Sequence, residues 1–513
     1  MLRLIGKKMD DFSKNHLVGN SIYILSALFF FIFVLFPAIF VLVESGGIRF
    51  EPQVLSALAT SFEIALISTA ISLLFGIPLA WMISRSSGIQ KQLLDALVDM
   101  PLIMPTSALG FSIYLFWGSQ YGLGILEKGF WLIVALHTTF VFPYVVRTVS
   151  AAFDELDKVY ETAAHSLGAN FLTCFRTVSF PLVKSAVIIG AMLAFTRSLS
   201  ETGATMMVAG LAFTAPVAVL AYKDAGDMQG AISTSIILIV AAVAFLFAAK
   251  YLARKMPFTV EGISPRFELR LARLSFLKDA ATLGFFFLII LVPAFFFFVF
   301  LIGMNGLPPQ AELEKIYDSL AVSFLVAAVV TAINLFFGFS IAMLIGRNKW
   351  GLGKLFETAN DIVLVVPTSA LGLSLGLYWA GVKLPEIAII ALAHLSFTFP
   401  YIVTPIAAAV SQLDRNMEEA AATLGASPYK ILRTITMPLI IPSVLAGMVM
   451  AFMRSISETG ATLAVSKNIS TVPVLIVDLV KSEQLPEAAI ACLILFAISF
   501  VLLVIMRRGV RHA

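Results

Sequence analysis

The sequence predicts an all-α integral membrane protein in which about 12 transmembrane helices form two parallel repeats of six. Hydrophobic residues make up 59% of the 513 residues and charged residues only 13%, whereas soluble domains carry about 25% charged residues. Twelve apolar segments are long enough to cross a bilayer, which takes about 20 residues of helix. The motifs of the first half also return in the second half in the same order.

The predicted spans leave short polar segments between them. Arg3, Lys7, Lys8 and Lys14 precede the first span, as basic residues precede the apolar region of a signal peptide. The span is too long for such a region and has no small-residue cleavage site, so we expect it to be retained. The predicted spans are 20–44, 57–84, 94–116, 130–150, 185–207, 232–253, 279–303, 318–345, 355–378, 386–409, 441–464 and 485–506.

The distribution of basic residues predicts the orientation of the chain. If the N-terminus is cytoplasmic, the outer segments hold only seven of the 35 Lys and Arg residues. A bias of this kind is the positive-inside pattern of membrane proteins. We therefore expect a multi-pass protein, embedded in the lipid bilayer, with both termini in the cytoplasm.

An internal duplication extends through the chain. Pro105–Gly110 recurs letter for letter as Pro367–Gly372, and Phe142–Tyr144 recurs as Phe399–Tyr401. The offset between the copies is 262 positions early in each half and 257 positions later. The halves therefore differ by a few residues between their third and fourth spans.

The parity of the spans predicts how the two halves are related. Because each half has six spans, both insert in the same direction, as parallel repeats around an axis along the membrane normal. We predict a first half at 1–265 and a second half at 266–513. The basic stretch Lys250–Lys278 is expected to join them on the cytoplasmic side.

A polar motif between long apolar segments occurs once in each half. Asp157 and Asp414 precede the two copies and can cap a helix start, and Gly168 and Gly425 suit a left-handed helix end. A rigid helix–bend–helix segment lying across the membrane face is therefore predicted. One such segment would be read as a simple connection, but two matched copies favour docking points for a two-fold-symmetric partner. The two segments, which we call the first and second elbows, are 157–182 and 414–439.

The elbows resemble the EAA loop of ABC importer permeases, in which Glu-Ala-Ala is followed by a glycine and then by a Leu-Pro or similar pair. The first elbow departs by having Thr162, and both have Pro-Leu at the end. The resemblance covers nearly the whole chain and implies a type I ABC importer permease fold, with cytoplasmic loops at about 151–184 and 410–440. In this family the loop docks into a cleft on the ATPase and transmits its closure. The resemblance also implies a bacterial or archaeal cytoplasmic (inner) membrane. The implied docking residues, whose glutamates would face the ATPase and whose glycines would set the bend, are Glu161, Ala163, Ala164, Gly168, Glu418, Ala420, Ala421 and Gly425.

Prolines interrupt the third predicted span of each half. Pro101 and Pro105 leave backbone carbonyls without partners, which is tolerated where a helix lines a cavity or packs against protein. The run 101–110 resembles the proline-broken helix of the same permeases, and a simple kink is the alternative. Its repetition favours a role in lining the pathway. The residues expected to do so are Thr106, Ser107, Thr368 and Ser369.

Each half also carries an Arg-x-x-x-Glu pair inside its fifth span. Arg197 and Glu201, like Arg454 and Glu458, are four residues apart and so share a helix face. Ionisable residues within spans usually face a bundle interior or a water path. We expect the pairs toward the outer side, as a gate or substrate-facing ring; the alternative is an ion pair that reaches the membrane surface and ends the helix. The Gly-Ala-Thr after each Glu is expected to unwind the helix.

Other ionisable residues within spans are weaker candidates. His137 and His394 are expected to pack or to form hydrogen bonds within spans rather than to bind a ligand. Asp99 and its counterpart Asp361 are candidates for polarising the pathway or for bonding to the broken helix. The two cysteines, which lie far apart, predict neither a disulfide framework nor a metal site.

The chain lacks the motifs of an enzyme. Gly351-Leu-Gly-Lys354 is followed by Leu355 and lacks the spacing of a phosphate-binding loop. We therefore predict no catalytic residue and no cofactor in this chain, with ATP and Mg²⁺ on a partner. The expected partners are two copies of a cytoplasmic ABC ATPase and an external substrate-binding protein, and no nucleic acid.

The resemblance leaves the substrate open. Two-half fusions of this size resemble the ferric-iron and thiamine importer permeases. Arg-Ser-x-Ser-Glu-Thr-Gly-Ala-Thr, which occurs at 197–205 and 454–462, instead resembles a segment of the sulfate, molybdate and tungstate permeases. We favour ferric iron, with thiamine and oxyanions as alternatives. A twelve-span secondary transporter is the alternative from another class, but it leaves the duplicated elbow unexplained, and a membrane scaffold or sensor leaves the paired broken helices unexplained.

Overall fold

A computed structural model describes residues 16–44, 47–255, 275–304, 306 and 308–512. Every regular element in this part of the chain is helical, as the sequence predicts. The basic residues before the first span, the predicted boundary at 265 and most of the basic stretch that joins the halves lie outside the described residues. Helices are numbered here in chain order.

Among the described residues, twelve α-helices belong to the first half of the sequence. They are α1 (His16–Phe29), α2 (Phe36–Ile39), α3 (Pro52–Arg85), α4 (Gly88–Ile103), α5 (Thr106–Ile113), α6 (Phe130–Glu155), α7 (Lys158–Ser166), α8 (Phe171–Cys174), α9 (Phe180–Ser200), α10 (Gly203–Val208), α11 (Ala215–Asp224) and α12 (Met228–Lys255). Short π-helical or 3₁₀ turns at Phe30–Leu35, Phe40–Leu42, Tyr114–Gly118 and Phe175–Ser179 extend or join them.

The described helices of the second half follow in a similar order, with one additional short helix near the start. They are α13 (Ser275–Phe285), α14 (Val292–Ala294), α15 (Phe296–Ile302), α16 (Gln310–Gly346), α17 (Gly353–Val365), α18 (Thr368–Tyr378), α19 (Glu386–Gln412), α20 (Arg415–Thr423), α21 (Pro428–Ile431), α22 (Met437–Ile456), α23 (Gly460–Val465), α24 (Val472–Lys481) and α25 (Leu485–His512). Short π-helical or 3₁₀ turns lie at Phe286–Leu291, Lys349–Gly351 and Leu432–Thr436.

The number of membrane-crossing helices agrees with the prediction. Among the described residues, 10 helices are long and apolar enough to cross a bilayer, and the total is up to 12 if each of two bent pairs is one span. The bends are 99° between α4 and α5 and 107° between α17 and α18. Each bend lies directly before a proline, where Met104 and Val366 have extended ψ angles of 131° and 124°, because proline disfavours the helical region for the residue before it.

The fifth span of each half differs from its predicted limits. Instead of 185–207, the helix extends from the elbow as Phe171–Ser200, and its counterpart is Pro428–Ile456 instead of 441–464. A π-helical turn continues the elbow into the span, so the polar sequence there does not interrupt the helix. The expectation that Gly-Ala-Thr unwinds the helix is wrong in position. Glu201 is the extended residue, with ψ 131°, and Gly203 begins the next helix.

The packing units exchange their first helices relative to the sequence repeat. One compact unit contains α1 with 310–475 and the end of α25, and the other contains 48–309 with the start of α25. Within the first of these, Phe29 stacks on Phe337 with ring centroids 3.8 Å apart. Within the other, Phe285 stacks on Phe75 at 4.0 Å. The predicted halves therefore describe the repeat of the sequence, whereas each packing unit takes its first helix from the opposite half.

The core of each unit is a layer of long helices. Helices α3, α6 and α9 pack together in one unit, and α16, α19 and α22 pack together in the other. Glycine permits the close approach in both: a Cβ at Gly190 would lie 3.4 Å from Val145 Cα, and one at Gly447 would lie 3.1 Å from the Tyr401 carbonyl oxygen. These layers position the elbow at one end of α9 or α22 and the helix break at the other.

Candidate docking elbows and broken helices

The two elbows have the same local structure because the same short-range interactions form both. The Asp157 carboxylate caps α7 by accepting a hydrogen bond from the Val159 amide at 2.9 Å, and Asp414 does so for α20. Gly168 and Gly425 have φ angles of +87° and +82°, the left-handed region that glycine adopts without a Cβ penalty. Backbone bonds of the Schellman pattern end both helices. The predicted helix–bend–helix shape is therefore present in both elbows.

The outer surface of each elbow is apolar at its bend. Leu167 and Leu424, each the residue before the bend glycine, are both 89% exposed. Ala163 and Ala420 are also exposed, whereas Ala164 and Ala421 are half-buried. Because the four predicted alanines and the two glycines have small or no side chains, the leucine side chains extend beyond them. The two elbows therefore expose the same apolar side chain at matched positions.

The glutamates of the elbows point inward. Glu161 forms an ion pair with Arg85, the last residue of α3, and accepts a hydrogen bond from the Ser179 hydroxyl at 2.7 Å. Its side chain is 11% exposed. The docking role of the elbow stays a prediction, but the expectation that this carboxylate faces outward needs correction, because Arg85 and Ser179 hold it against the protein.

The second elbow repeats this arrangement. Glu418 pairs with Arg347, which directly follows α16, at 2.5 Å between Nη2 and Oε1. The same oxygen accepts a hydrogen bond from the Thr436 hydroxyl at 2.6 Å. Arg85 and Arg347 lie at matched positions of the repeat, 262 residues apart, and neither of them was assigned a role from the sequence. Two arginines at matched span ends were the sequence signal for these pairs. Because they lie far from the glutamates in the sequence, the sequence did not show which residues pair.

The residues predicted to line a pathway lie at the start of the second segment of each broken helix. Ser107 and Ser369 are fully buried, and neither hydroxyl has a hydrogen-bond partner. Thr368 is mostly buried, whereas Thr106 is half-buried. An unpartnered hydroxyl in an apolar interior costs free energy. A pathway-lining role for these four residues stays a prediction.

A short helix packs directly against each broken helix. In the unit containing α5, a Cβ at Gly110 would lie 2.9 Å from Ala204 Cα on α10. In the other unit, a Cβ at Gly372 on α18 would lie 2.8 Å from Ala461 Cα on α23. Backbone atoms therefore approach at the distance that only glycine permits, so the broken helix and the short helix are in direct backbone contact.

The Arg-x-x-x-Glu pairs lie at the helix break that precedes the short helix. Arg197 and Glu201 are 2.9 Å apart, and Arg454 and Glu458 are 2.6 Å apart. The other carboxylate oxygen of each Glu accepts a hydrogen bond from a backbone amide of the short helix. Both Glu side chains are at most 5% exposed. This burial argues against an ion pair that reaches the membrane surface, although each pair does mark the end of its helix.

A histidine holds both sides of each break. His137 shares hydrogen bonds with Ser198 at the end of α9 (2.7 Å) and with Thr205 in α10 (2.9 Å). His394 makes the equivalent bonds to Ser455 and Thr462 at 2.8 and 2.9 Å. The prediction that these histidines are hydrogen-bond partners is confirmed. Each histidine therefore connects two helix segments that do not form one continuous helix.

Asp99 belongs to an ion-pair cluster that the sequence did not reveal. Arg147 of α6 contacts Asp99 and Asp95 of α4, at 2.5 Å in each case. In the other half the position of Arg147 is Thr404, and its hydroxyl accepts a hydrogen bond from the Asn360 amide at 3.1 Å. Asp99 therefore joins the first segment of the broken helix to α6. This agrees with one of its two predicted roles, bonding of the broken helix.

The chain matches the family model described as "Binding-protein-dependent transport system inner membrane component" twice, at residues 72–257 and 334–512. The two matches cover more than half of the chain and fall one in each half. They confirm the internal duplication and the resemblance on which the elbow residues were assigned.

Three relatives illustrate the range of the family. The sulfate transport system permease protein CysT of Salmonella typhimurium is 37% identical over 169 residues, which are 31% of this chain and 61% of that protein, less than two thirds of its length. A probable molybdenum ABC transporter permease protein of Haloferax volcanii is 34% identical over 36% of this chain and 71% of its own. The Fe(3+)-transport system permease protein FbpB 2 of Haemophilus influenzae is 23% identical over 83% of this chain and 84% of its own.

Proposed function

The chain belongs to the family of inner-membrane components of binding-protein-dependent transport systems, and we propose that it forms the translocation pathway of an ATP-driven ABC importer. The family implies partnership with an ABC ATPase and a substrate-binding protein. The chain itself is a transport component, and ATP with its Mg²⁺ would bind to the partner ATPase.

The single observation that carries the proposal is the pair of exposed leucines on matched elbows. Leu167 and Leu424 are 89% exposed at the tips of capped helices that cannot fold back to cover them. Covering a leucine fully contributes about 1.5–3 kcal/mol, so each tip is a favourable anchor for a cleft on a partner. Because the elbows share one geometry, two copies of the same ATPase would bind, one to each.

The elbow is built to transmit force rather than to flex. Its second helix continues through a π-helical turn into the transmembrane helix, as Phe171–Ser200 in one half and Pro428–Ile456 in the other. A movement imposed on the elbow therefore reaches the helix break at the far end of the same helix. On this proposal, closure of the ATPases moves both elbows, and the breaks at Glu201 and Glu458 open or close the pathway.

We propose ferric iron as the substrate, with a tetrahedral oxyanion as the second candidate. Of the three relatives named above, the iron permease has a match that extends through most of both chains, which supports iron for this chain. The sulfate and molybdenum permeases match a shorter part of the chain at higher identity. The repeated Arg197–Glu201 and Arg454–Glu458 segments, which resemble those permeases, favour the oxyanion.

The experiment is a purification of the chain from its native membrane in mild detergent, followed by mass spectrometry of the bound proteins. We expect an ABC ATPase at two copies per chain, and its loss in the Leu167→Asp/Leu424→Asp variant. The matched control is Leu211→Asp, because Leu211 is 94% exposed but lies beyond the far end of α9, about 30 Å from the elbow at 1.5 Å per residue.

The outcomes separate the proposal from its alternatives. If the intact wild-type chain carries no ATPase, the importer proposal is wrong and a twelve-span secondary transporter becomes the better interpretation. If the leucine variant keeps the ATPase, the elbows are not its docking points. Uptake of labelled ferric iron, sulfate, molybdate and thiamine by vesicles containing the complex and its binding protein then identifies the substrate.

A further inference from the structure

We propose that Glu161 and Glu418 are positioning residues, which anchor each elbow to the end of the long helix before it so that movement of the elbow also moves that helix. They act through Arg85 and Arg347 and do not contact the ATPase themselves. The proposal rests on the proposed function for the role of the elbow, and it concerns a different step, the transfer of motion into the membrane.

The geometry joins three helices at one carboxylate oxygen. Glu161 lies in the first turn of α7, Arg85 is the last residue of α3, and Ser179 ends the π-helical turn that leads into α9. Oε1 of Glu161 accepts hydrogen bonds from both the arginine and the serine hydroxyl. The docking helix is therefore tied to two transmembrane helices, only one of which follows it directly in the chain.

The same three-way junction recurs with a different hydroxyl. Oε1 of Glu418 accepts from Arg347 at 2.5 Å and from Thr436 at 2.6 Å. Ser179 and Thr436 are both buried. Charge-assisted hydrogen bonds of this kind are about twice as strong as those between neutral groups. The recurrence of the acceptor oxygen, the guanidinium and the hydroxyl makes an accidental surface contact a poor explanation.

The exposed groups of the elbow are not the anchoring groups. In the first elbow, the Glu161 side chain is 11% exposed, while Leu167 on the same helix is 89% exposed. For Glu161 to bind a partner, it would first have to leave Arg85 and Ser179. The elbow therefore divides two tasks between two surfaces, with apolar contact to the partner on the outside and anchoring to the membrane helices on the inside.

The surroundings of the two junctions differ, which allows a comparison within one chain. In the first elbow the Arg85 guanidinium lies 4.5 Å from the centroid of the Trp81 ring. Trp81 makes edge-to-face contacts with Phe153, Phe171 and Phe175. These rings join the span end to the elbow by packing as well as by charge, since aromatic pairs stabilise beyond their buried area.

The second elbow has no aromatic residue at any of these matched positions. They are occupied by Met343, Val410, Pro428 and Leu432. Polar contacts therefore carry more of the connection there: the ion pair between Arg347 and Glu418 and a hydrogen bond from the Arg415 guanidinium to the Arg347 carbonyl oxygen at 3.1 Å. We expect loss of the charge at Glu418 to impair coupling more than loss of the charge at Glu161.

The experiment uses the full complex in vesicles and measures three quantities for each variant: ATPase co-purification, ATP hydrolysis and substrate uptake. For Glu418→Gln and for Arg347→Glu we expect the ATPase to remain bound while uptake per ATP hydrolysed falls about tenfold, the effect of a coupling energy in the usual range for contacting residues. Glu161→Gln should lower this ratio less. The charge-exchanged double variant Arg347→Glu/Glu418→Arg should recover most of it.

The results that would overturn the proposal are distinct from failure of the proposed function. Loss of the ATPase in Glu418→Gln, with no recovery in the double variant, would show that the carboxylate contacts the partner directly. An unchanged ratio of uptake to hydrolysis in both Gln variants would show that the junctions do not transmit motion. Absence of ATPase from the wild-type chain tests the proposed function alone. Thr436→Val keeps the ion pair and removes one hydrogen bond, so it is the variant that disturbs folding least. It should lower the ratio of uptake to hydrolysis to an intermediate value. An unchanged ratio would count against the three-way junction.

Discussion

Gly372 allows a direct test of how tightly the broken helix packs against the short helix α23. A Cβ at this position would lie 2.6 Å from Ala464 Cβ and 2.7 and 2.8 Å from the carbonyl oxygen and Cα of Ala461. Carbon atoms pack best at about 3.5–4.0 Å, so Gly372→Ala must push α18 and α23 apart by about 1 Å. Backbone atoms of α23 cannot rotate away as a flexible side chain would.

The magnitude follows from a comparison with Gly376, one turn later on the same helix. A Cβ there would meet only Val465 Cγ1, at 4.0 Å. Both substitutions gain the same helix propensity, about 1 kcal/mol in soluble hosts, so the difference between the two variants isolates the overpacking. Overpacking costs about 1–3 kcal/mol. We therefore expect Gly372→Ala to be less stable than Gly376→Ala by about 1–3 kcal/mol.

The assay is the free energy of unfolding of the two variants in the same detergent, together with uptake in vesicles. Separation of α18 from α23 also strains the bond between His394 and Thr462, so uptake should fall for Gly372→Ala and not for Gly376→Ala. Equal stabilities for the two variants would refute the reasoning, because they would mean that α23 moves aside at no cost. Gly110→Ala should act in the same direction but less strongly, since its closest neighbour is the flexible end of Met207 at 2.6 Å.

Two further predictions concern residues outside the elbow ion pairs. Glu386→Ala should destabilise the folded conformation of the 466–469 loop by about 1 kcal/mol. The reason is that the carboxylate accepts hydrogen bonds from the Ser466 hydroxyl at 2.7 Å and from the Asn468 and Ile469 amides. Hydrogen exchange of this loop should rise, and unchanged exchange would contradict the role of Glu386. Asp157→Ala should destabilise α7 by about 1 kcal/mol through loss of its cap, whereas Asp157→Asn should not. Equal hydrogen exchange of α7 in the two Asp157 variants would exclude capping as the cause.

Local chemistry explains which parts of the structure were predictable from the sequence. The cap at Asp157, the left-handed Gly168 and the bend before Pro105 each depend on interactions within a few residues. Proline cannot donate its backbone nitrogen and restricts the residue before it, so an interruption at this point was predictable. Its angle of 99° was not, because Pro143 lies inside a continuous helix. The histidine bonds were predictable in kind, because a neutral imidazole buried in a span needs partners.

The contacts that escaped prediction are those that depend on tertiary structure. Arg85 and Glu161 are 76 residues apart, and no periodicity of the sequence connects them. The sequence repeat also could not reveal the exchange of α1 and α13 between the packing units, because each helix keeps its place in the sequence order. The break at Glu201 was misplaced for a related reason: glycine was taken as the breaker, whereas the buried ion pair of Glu201 with Arg197 fixes the end of the helix.

The two halves show which interactions the architecture needs in a defined geometry and which it needs only in kind. The Arg–Glu–hydroxyl junction of the elbow recurs with the same three kinds of group, the hydroxyl coming from Ser179 in one copy and from Thr436 in the other, and the bridge from each histidine to the two sides of the break recurs as well. The link between the broken helix and its neighbour recurs only as a polar contact: Arg147 binds two carboxylates in one half, and Asn360 donates to Thr404 in the other. A link that merely holds two helices together tolerates such a change of chemistry. A junction that must deliver motion along a set direction does not, which is why the duplicated ion pairs of the elbows are better explained by coupling than by stability.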